Sequence, residues 1–142
     1  MRALIISSLV FLCGCATTAT MDWISTGPVF PAKNASDVQI FRSKKEVVRP
    51  CRTIGVVLSS RVDAGDESGL LRQEKKARAL AASRGADAVI VTRALHDSGT
   101  EDDGLPSKKE AFVSVMALKF VDGLSDDDKQ RIADWSAPEG GF

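Results

Sequence analysis

The chain has 142 residues, which favours a single domain, and its 19 basic residues are balanced by 19 acidic ones. That balance argues against the basic field needed for bulk attraction to nucleic acid, so we expect no nucleic-acid partner. It equally argues against electrostatic adhesion to an anionic membrane surface.

The amino terminus has the pattern of a secretory signal peptide. Met1 and Arg2 form a short positive start, and residues 3–12 form a mostly apolar run. This run is too short to cross a bilayer as a helix, which takes about 20 residues. Its length is typical of the apolar part of a signal peptide, so we expect the chain to be exported.

Four residues at the end of this run resemble the lipobox of bacterial lipoproteins: Leu12, Cys13, Gly14 and Cys15. The resemblance implies cleavage between Gly14 and Cys15 and attachment of lipid, including palmitate, to the Cys15 thiol. Two or more acyl chains suffice for stable anchoring. Because Ala16 follows, we expect an outer-membrane lipoprotein that faces the periplasm of the cell envelope. The alternative is an ordinary signal peptide cleaved near residues 16–19.

The remaining chain divides into a tether, a domain and a tail. After a signal peptide of residues 1–14, we predict a lipidated tether over residues 15–36, because Gly27, Pro28 and Pro31 interrupt regular structure. Trp23 in this segment is expected either to touch the membrane interface or to dock on the domain. A compact αβ domain is predicted over residues 37–122, and a short helix and tail over residues 123–142.

Hydrophobic periodicity predicts four strands and one long helix in the domain. The strands are expected at residues 38–41, 53–59, 86–92 and 112–120, and the helix at 67–84, with a short second helix beginning after Ser125. The order β-β-α-β-β predicts an α+β fold, with a sheet of about four strands and the main helix packed on one face. The strand–helix–strand unit in its centre predicts a parallel pair. Gly55 suggests a bulge or the close approach of a helix.

Local residue types predict where the long helix begins and ends. Asp66 or Ser68 can cap its first turn by accepting a hydrogen bond from a free amide. Gly85 is expected to end it, because glycine adopts positive φ without strain.

A set of positions across residues 37–120 forms a familiar pattern: Val38, Ile40, Phe41, Ile54, Gly55, Val57, Ala77, Ala81, Gly85, Ala86, Ala88, Val89 and Ile90. In these positions the domain resembles the Rcs-type outer-membrane stress-sensor lipoproteins and a set of uncharacterised small lipoproteins. The Gly-Ala-Asp-Ala-Val element at residues 85–89 is also similar to one in the small heavy-metal-binding-like domains. The resemblance implies a shared fold rather than a shared chemistry. The stress sensor has two disulfides, whereas Cys51 is the only free thiol expected in the mature chain. A sensing role therefore does not carry over directly.

Residues that could carry chemistry are few. Cys51 and His96 are the only soft metal-ligand types expected in the mature domain, and Asp97 with other acids of the loop could supplement His96. A Cys51–His96 nucleophile pair is conceivable, but no oxyanion signature accompanies it. Glu74 and Arg78 have the i,i+4 spacing of ordinary helix-surface charges. We expect no catalytic residues and no cofactor.

The sequence therefore predicts a membrane-anchored envelope lipoprotein that is not an enzyme. Its expected role is that of a protein-interaction, sensor or adaptor module with a partner in the envelope. One alternative is a small metal- or ligand-binding module that uses His96 and Asp97. A thiol enzyme that uses Cys51 is the other.

Overall fold

The computed structural model describes residues 20–97 and 109–135 of the chain. In chain order the elements are β1 (Met21–Ser25), β2 (Gln39–Phe41), β3 (Cys51–Ser59), β4 (Val62–Asp63), α1 (Glu67–Ser83), β5 (Ala88–Asp97), β6 (Lys109–Phe120) and α2 (Asp126–Ala133). The strands form one mixed sheet in the order β1-β3-β6-β5-β2, and β4 also pairs with β6.

The expected sheet of about four strands was wrong, because the sheet has six, although the α+β class is correct. Both additional strands leave weak signals in the sequence. β1 lies in the segment that Gly27, Pro28 and Pro31 make irregular. β4 has two residues, and it pairs with Ala111 and Glu110 of β6 just after β3 ends.

The predicted parallel pair around the long helix was also wrong. β3 and β5 are not neighbours, because β6 lies between them and is antiparallel to both. The parallel pair that the described residues do contain is β2 with β5. β6 can occupy the centre of the sheet because the side chains on both of its faces are largely apolar. Such a strand is suited to a position that is covered on both faces.

The ends of α1 are set by local chemistry, as the sequence predicted. The carboxylate of Asp66 accepts a hydrogen bond of 2.8 Å from the Gly69 amide, which satisfies one of the free donors of the first turn. After the helix, Gly85 adopts φ +82°, a conformation that favours glycine. The chain can therefore turn directly into β5.

The core lies between α1 and one face of the sheet. Ala77 and Ala81 of the helix are fully buried, and their small side chains let α1 lie close to the strands. Val89, Val113 and Val115 meet them from β5 and β6. On the opposite face of the sheet, a smaller apolar cluster forms around Leu118 and Phe120.

The predicted tether is part of the folded domain from β1 onward. After β1, the chain crosses from one edge of the sheet to β2 at the other edge, passing under the carboxyl end of α1. On the way the Phe30 amide donates to the Arg84 carbonyl (3.1 Å), and the Lys33 amide donates to the Ala82 carbonyl (2.9 Å). Phe30 is buried against Gly85, where a Cβ atom would lie 2.5 Å from the Phe30 Cβ. Residues 21–36, which the sequence assigned to the tether, are therefore packed on the domain.

Candidate interaction surface

The predicted lipidation site lies outside the described residues, as do Gly14 and the cleavage point. The structure places the start of β1 at Met21, so five residues of the sequence, 16–20, lie between Cys15 and this strand. Within the part of the chain that is described, no helix is both long and apolar enough to cross a membrane.

Cys51 and His96 lie at opposite ends of the sheet. In the strand register, Cys51 pairs with Phe120 and His96 pairs with Glu110, at the two ends of β6. At about 3.3 Å per residue, this register separation corresponds to roughly 30 Å. The two side chains cannot share a catalytic site.

The two residues differ in their surroundings as well. Cys51 is a partly buried free thiol that packs against the cluster around Leu118 and Phe120. Among residues 20–97 and 109–135, no group of three or more His, Cys, Asp or Glu side chains is placed to hold a metal ion, so His96 and Asp97 lack a third such ligand there. The acids at 101–103 that were considered as further ligands lie outside the described residues.

The feature that the fold does create is an apolar row across the sheet face opposite α1. In the strand register, Ile24 pairs with Val56, Val56 with Met116, Met116 with Ile90, and Ile90 with Phe41. Directly paired residues share a face of the sheet, so this cross-strand row has one member in each of β1, β3, β6, β5 and β2. Ile24 is 45% exposed and Met116 is 38% exposed, whereas Ile90 is buried in the cluster around Phe120, so the exposed part of the row is Ile24, Val56 and Met116.

The surroundings of the cross-strand row define its limits. On one side, the connection from β2 to β3 lies over the sheet, with Val47 packed on the cluster around Phe120. There the Arg49 guanidinium stacks 4.0 Å from the centre of the Phe120 ring. On the other side, the next register level carries Leu58, Ser114 and Thr92, with one exposed acid, Asp22, at its β1 end. The row therefore forms a largely uncharged stripe, with its most exposed members in β1 and β6.

Glu74, which the sequence suggested was a surface charge, is buried on the helix side of the sheet. Arg42 binds it through two hydrogen bonds of 3.0 Å, and Arg93 of β5 donates a third of 2.7 Å. Burial acts to raise the pKa of Glu74, but the hydrogen bonds from Arg42 and Arg93 outweigh it and hold the pKa below its usual value. Arg78, the expected partner, instead donates to the Val38 carbonyl. This network ties α1 to both β5 and the end of β2.

A second buried charge lies at the end of the sheet near Gly85. Lys119 of β6 is only 7% exposed, and its ammonium group donates to the Gly85 carbonyl (3.1 Å) and to Asp87 (3.2 Å). Lys33 also pairs with Asp87. Burial acts to raise the pKa of Asp87, but Lys33, the Phe120 amide and Lys119 together lower it. Because each charge has a partner inside the domain, we interpret this cluster as structural.

Sequence reasoning missed the cross-strand row and the role of Glu74. The alternation in residues 112–120 showed which β6 residues share a face, but not which strands lie beside them. The partners of Met116 depend on the insertion of β6 between β3 and β5. The only signal for Glu74 was the presence of arginine after β2 and in β5, and nothing in the spacing links those positions.

Comparison with known proteins adds one distant structural likeness. Neither a protein-family model nor a curated protein sequence matches the chain. A crystal structure of the Francisella virulence factor FvfA matches with a TM-score of 0.45 and 13% identity, over 70% of this chain and 97% of that one. The resemblance to the Rcs-type lipoproteins stays a prediction.

Proposed function

We propose that the protein is a lipoprotein of the bacterial cell envelope, anchored through Cys15 and facing the periplasm from the outer membrane. We further propose that its domain is a non-enzymatic interaction module that binds an envelope protein. The anchor rests on the lipobox-like residues that end at Cys15. The interaction rests on the cross-strand row, because a contiguous, partly exposed apolar stripe is a common property of surfaces that bind other proteins.

The separation of Cys51 from His96 removes the support for a thiol enzyme that uses the two together. A sheet face also suits protein binding better than chemistry, since its side chains contribute area rather than reactive groups. The role of the domain would then be to present the exposed part of the cross-strand row, Ile24, Val56 and Met116, at a fixed place in the envelope.

Lipidation is tested by growing cells that express the full chain with labelled palmitate, followed by mass spectrometry of the mature protein. We expect acylation of the wild type and of Cys51→Ser, which keeps the anchor cysteine. We expect none in Cys15→Ala. A mature wild type that begins near residues 16–20 and carries no acyl group would show that the signal is an ordinary secretory one.

The interaction surface is tested by photo-crosslinking in intact cells, with a photoreactive amino acid at Met116. The control position is Ala79, which is exposed on α1, on the other side of the sheet. We expect an adduct of one discrete mass from position 116, lost when Val56→Glu places a charge within the row, and no such adduct from position 79. Equal labelling from the two positions would contradict the proposed surface.

A further inference from the structure

The chain enters the domain at one defined end of the sheet. Met21, the first residue of β1, pairs with Ser59 at the end of β3, and the Thr20 carbonyl accepts a hydrogen bond from the Ser60 amide (3.1 Å). The same end of the sheet carries β4, the last residues of β5 and the first residues of β6. We call this the anchor-side end, comprising Met21, residues 59–67, Leu71, residues 93–97 and residues 109–111.

Two of the most exposed apolar side chains of the described domain lie at this end. Leu95 is 77% exposed and Leu71 is 51% exposed. Arg93 joins the two elements that carry them. It binds both Glu67 and Glu74, the residues that flank Leu71 on one face of α1, and Leu95 follows two positions later on the same face of β5.

Charges of both signs lie at the anchor-side end, and acids are in slight excess: three basic residues (Arg61, Arg93 and Lys109) stand against five acidic ones (Asp63, Asp66, Glu67, Asp97 and Glu110). Arg93 pairs with Glu67 at 2.7 Å, and Arg61 lies 3.9 Å from Glu110. Arg72 lies 3.9 Å from Asp66, the residue that caps α1. A surface of paired charges around exposed leucines is suited to zwitterionic headgroups, and it has no excess of basic residues to draw it to an anionic membrane.

We propose that the anchor-side end docks on the lipid bilayer, with Leu71 and Leu95 in the interface between headgroups and acyl chains. This inference rests on the proposed lipidation of Cys15. The six Cα–Cα steps from Cys15 to Met21 span at most about 20 Å when fully extended. The anchor therefore keeps the start of β1, and with it this end of the sheet, close to the membrane.

The orientation has a consequence for the proposed interaction surface. The strands run away from the anchor-side end, so the sheet stands along the membrane normal and the cross-strand row points sideways. The opposite end, with α2 and Asp87, is then remote from the bilayer, because a strand of the length of β6 spans roughly 40 Å. A partner would meet the row within the envelope rather than at the lipid surface.

The test uses the full lipidated protein with Cys51→Ser, reconstituted in phosphatidylcholine vesicles that contain a lipid-borne quencher. A fluorophore is attached to one new cysteine, at Leu95→Cys, Leu71→Cys or Gly123→Cys. Gly123 serves as the far-end control, since a Cβ atom added there would meet nothing within 4 Å. We expect quenching at positions 95 and 71 and none at 123. Equal quenching at all three positions, or more at 123, would overturn the proposed orientation.

A second comparison tests the role of the leucine. With the probe at position 71, Leu95→Asp should reduce quenching, because it places a charge at the interface. Val48→Asp should leave it unchanged, since Val48 is 90% exposed but lies near the start of β3, at the other end of the sheet. Equal effects of the two substitutions would contradict docking through Leu95.

Two further outcomes separate the failure of this inference from failure of the proposed function. If mass spectrometry finds no acyl group on Cys15, the proposed anchor fails, and the docking with it. If the protein is acylated but the probe at position 95 is unquenched, only the docking fails. Quenching that is present at many copies per vesicle and lost at one copy would identify a second copy as the occupant and overturn docking on lipid.

Discussion

At the scale of single residues, Gly55 shows how one missing side chain shapes the fold. The register of β3 shifts between Thr53 and Gly55, which marks the bulge that the sequence suggested. The group that approaches Gly55 is not the helix but the indole of Trp23, whose Cζ2 would lie 2.1 Å from a Cβ atom at that position. Trp23 therefore docks on the domain, and Gly55 provides the space for its ring.

Replacing Gly55 by alanine should destabilise the domain by about 1–3 kcal/mol, because the Trp23 ring must move to admit the new methyl group. Urea unfolding of the purified protein measures the loss. Gly123→Ala is the matched control, since an added Cβ meets nothing within 4 Å there. Equal stability of the two variants would show that the Trp23 ring does not occupy this space.

Glu74 is a second position at which a small chemical change in one side chain should affect stability. In Glu74→Gln the volume is kept, but Arg42 and Arg93 lose their shared carboxylate. We expect the free energy of unfolding to fall by about 1–3 kcal/mol, the usual cost of removing one partner of a buried hydrogen-bonded group. Glu67→Gln is the control, because Glu67 binds the same Arg93 while its side chain is 64% exposed. A loss in Glu67→Gln as large as that in Glu74→Gln would contradict the importance of burial.

At the scale of elements, the segment between β1 and β2 behaves as part of the core. Phe30 is 4% exposed, the Lys119 ammonium lies 4.9 Å from the centre of its ring, and the Arg131 guanidinium of α2 lies 5.5 Å away. The segment thereby joins α1, β6 and α2. Its irregular sequence reflects the absence of repeating backbone pairing rather than an absence of packing.

Removing the Phe30 ring should destabilise the whole domain. We expect Phe30→Ala to lower the free energy of unfolding by about 3–5 kcal/mol, as for other buried aromatic residues. Thermal unfolding followed by circular dichroism measures the change. The neighbouring Val29→Ala should have little effect, since Val29 is 46% exposed. An unchanged melting temperature in Phe30→Ala would mean that the segment is a tether, as the sequence first suggested.

For the molecule as a whole, the buried carboxylates predict sensitivity to acid. The pKa values of Glu74 and Asp87 are lowered in the folded state from the ordinary values of 4.5 and 3.8. As the pH falls, the unfolded chain therefore binds more protons than the folded protein, and the stability that the two carboxylates contribute is lost. That contribution is complete above the ordinary values, and it disappears as the pH drops through the lower folded values.

Midpoints of urea unfolding measured between pH 6 and pH 3 test this expectation. The wild type should lose stability steeply below about pH 4.5, the ordinary value for glutamate. Glu74→Gln should lose less over the same range, because one of the titrating groups is gone. Parallel curves for the two proteins would show that Glu74 makes no contribution to the acid sensitivity.

Local chemistry could be predicted from the sequence. The capping of α1 by Asp66, the positive φ of Gly85 and the α+β class all depend on residues close together in the chain. The lipobox-like segment ending at Cys15 is local in the same way, and it supports the proposed anchor through the identity and order of four neighbouring residues.

The order of the strands was decided only by the tertiary structure. Whether β6 lies beside β5 alone or between β5 and β3 depends on contacts between residues more than 50 positions apart, such as Val57 and Val115. That choice creates the cross-strand row and separates Cys51 from His96. The recruitment of β1 to the sheet, by the fit of Trp23 over Gly55, likewise converts part of an expected tether into a strand. Periodicity identifies which side chains share a face, but only packing determines which faces and edges meet.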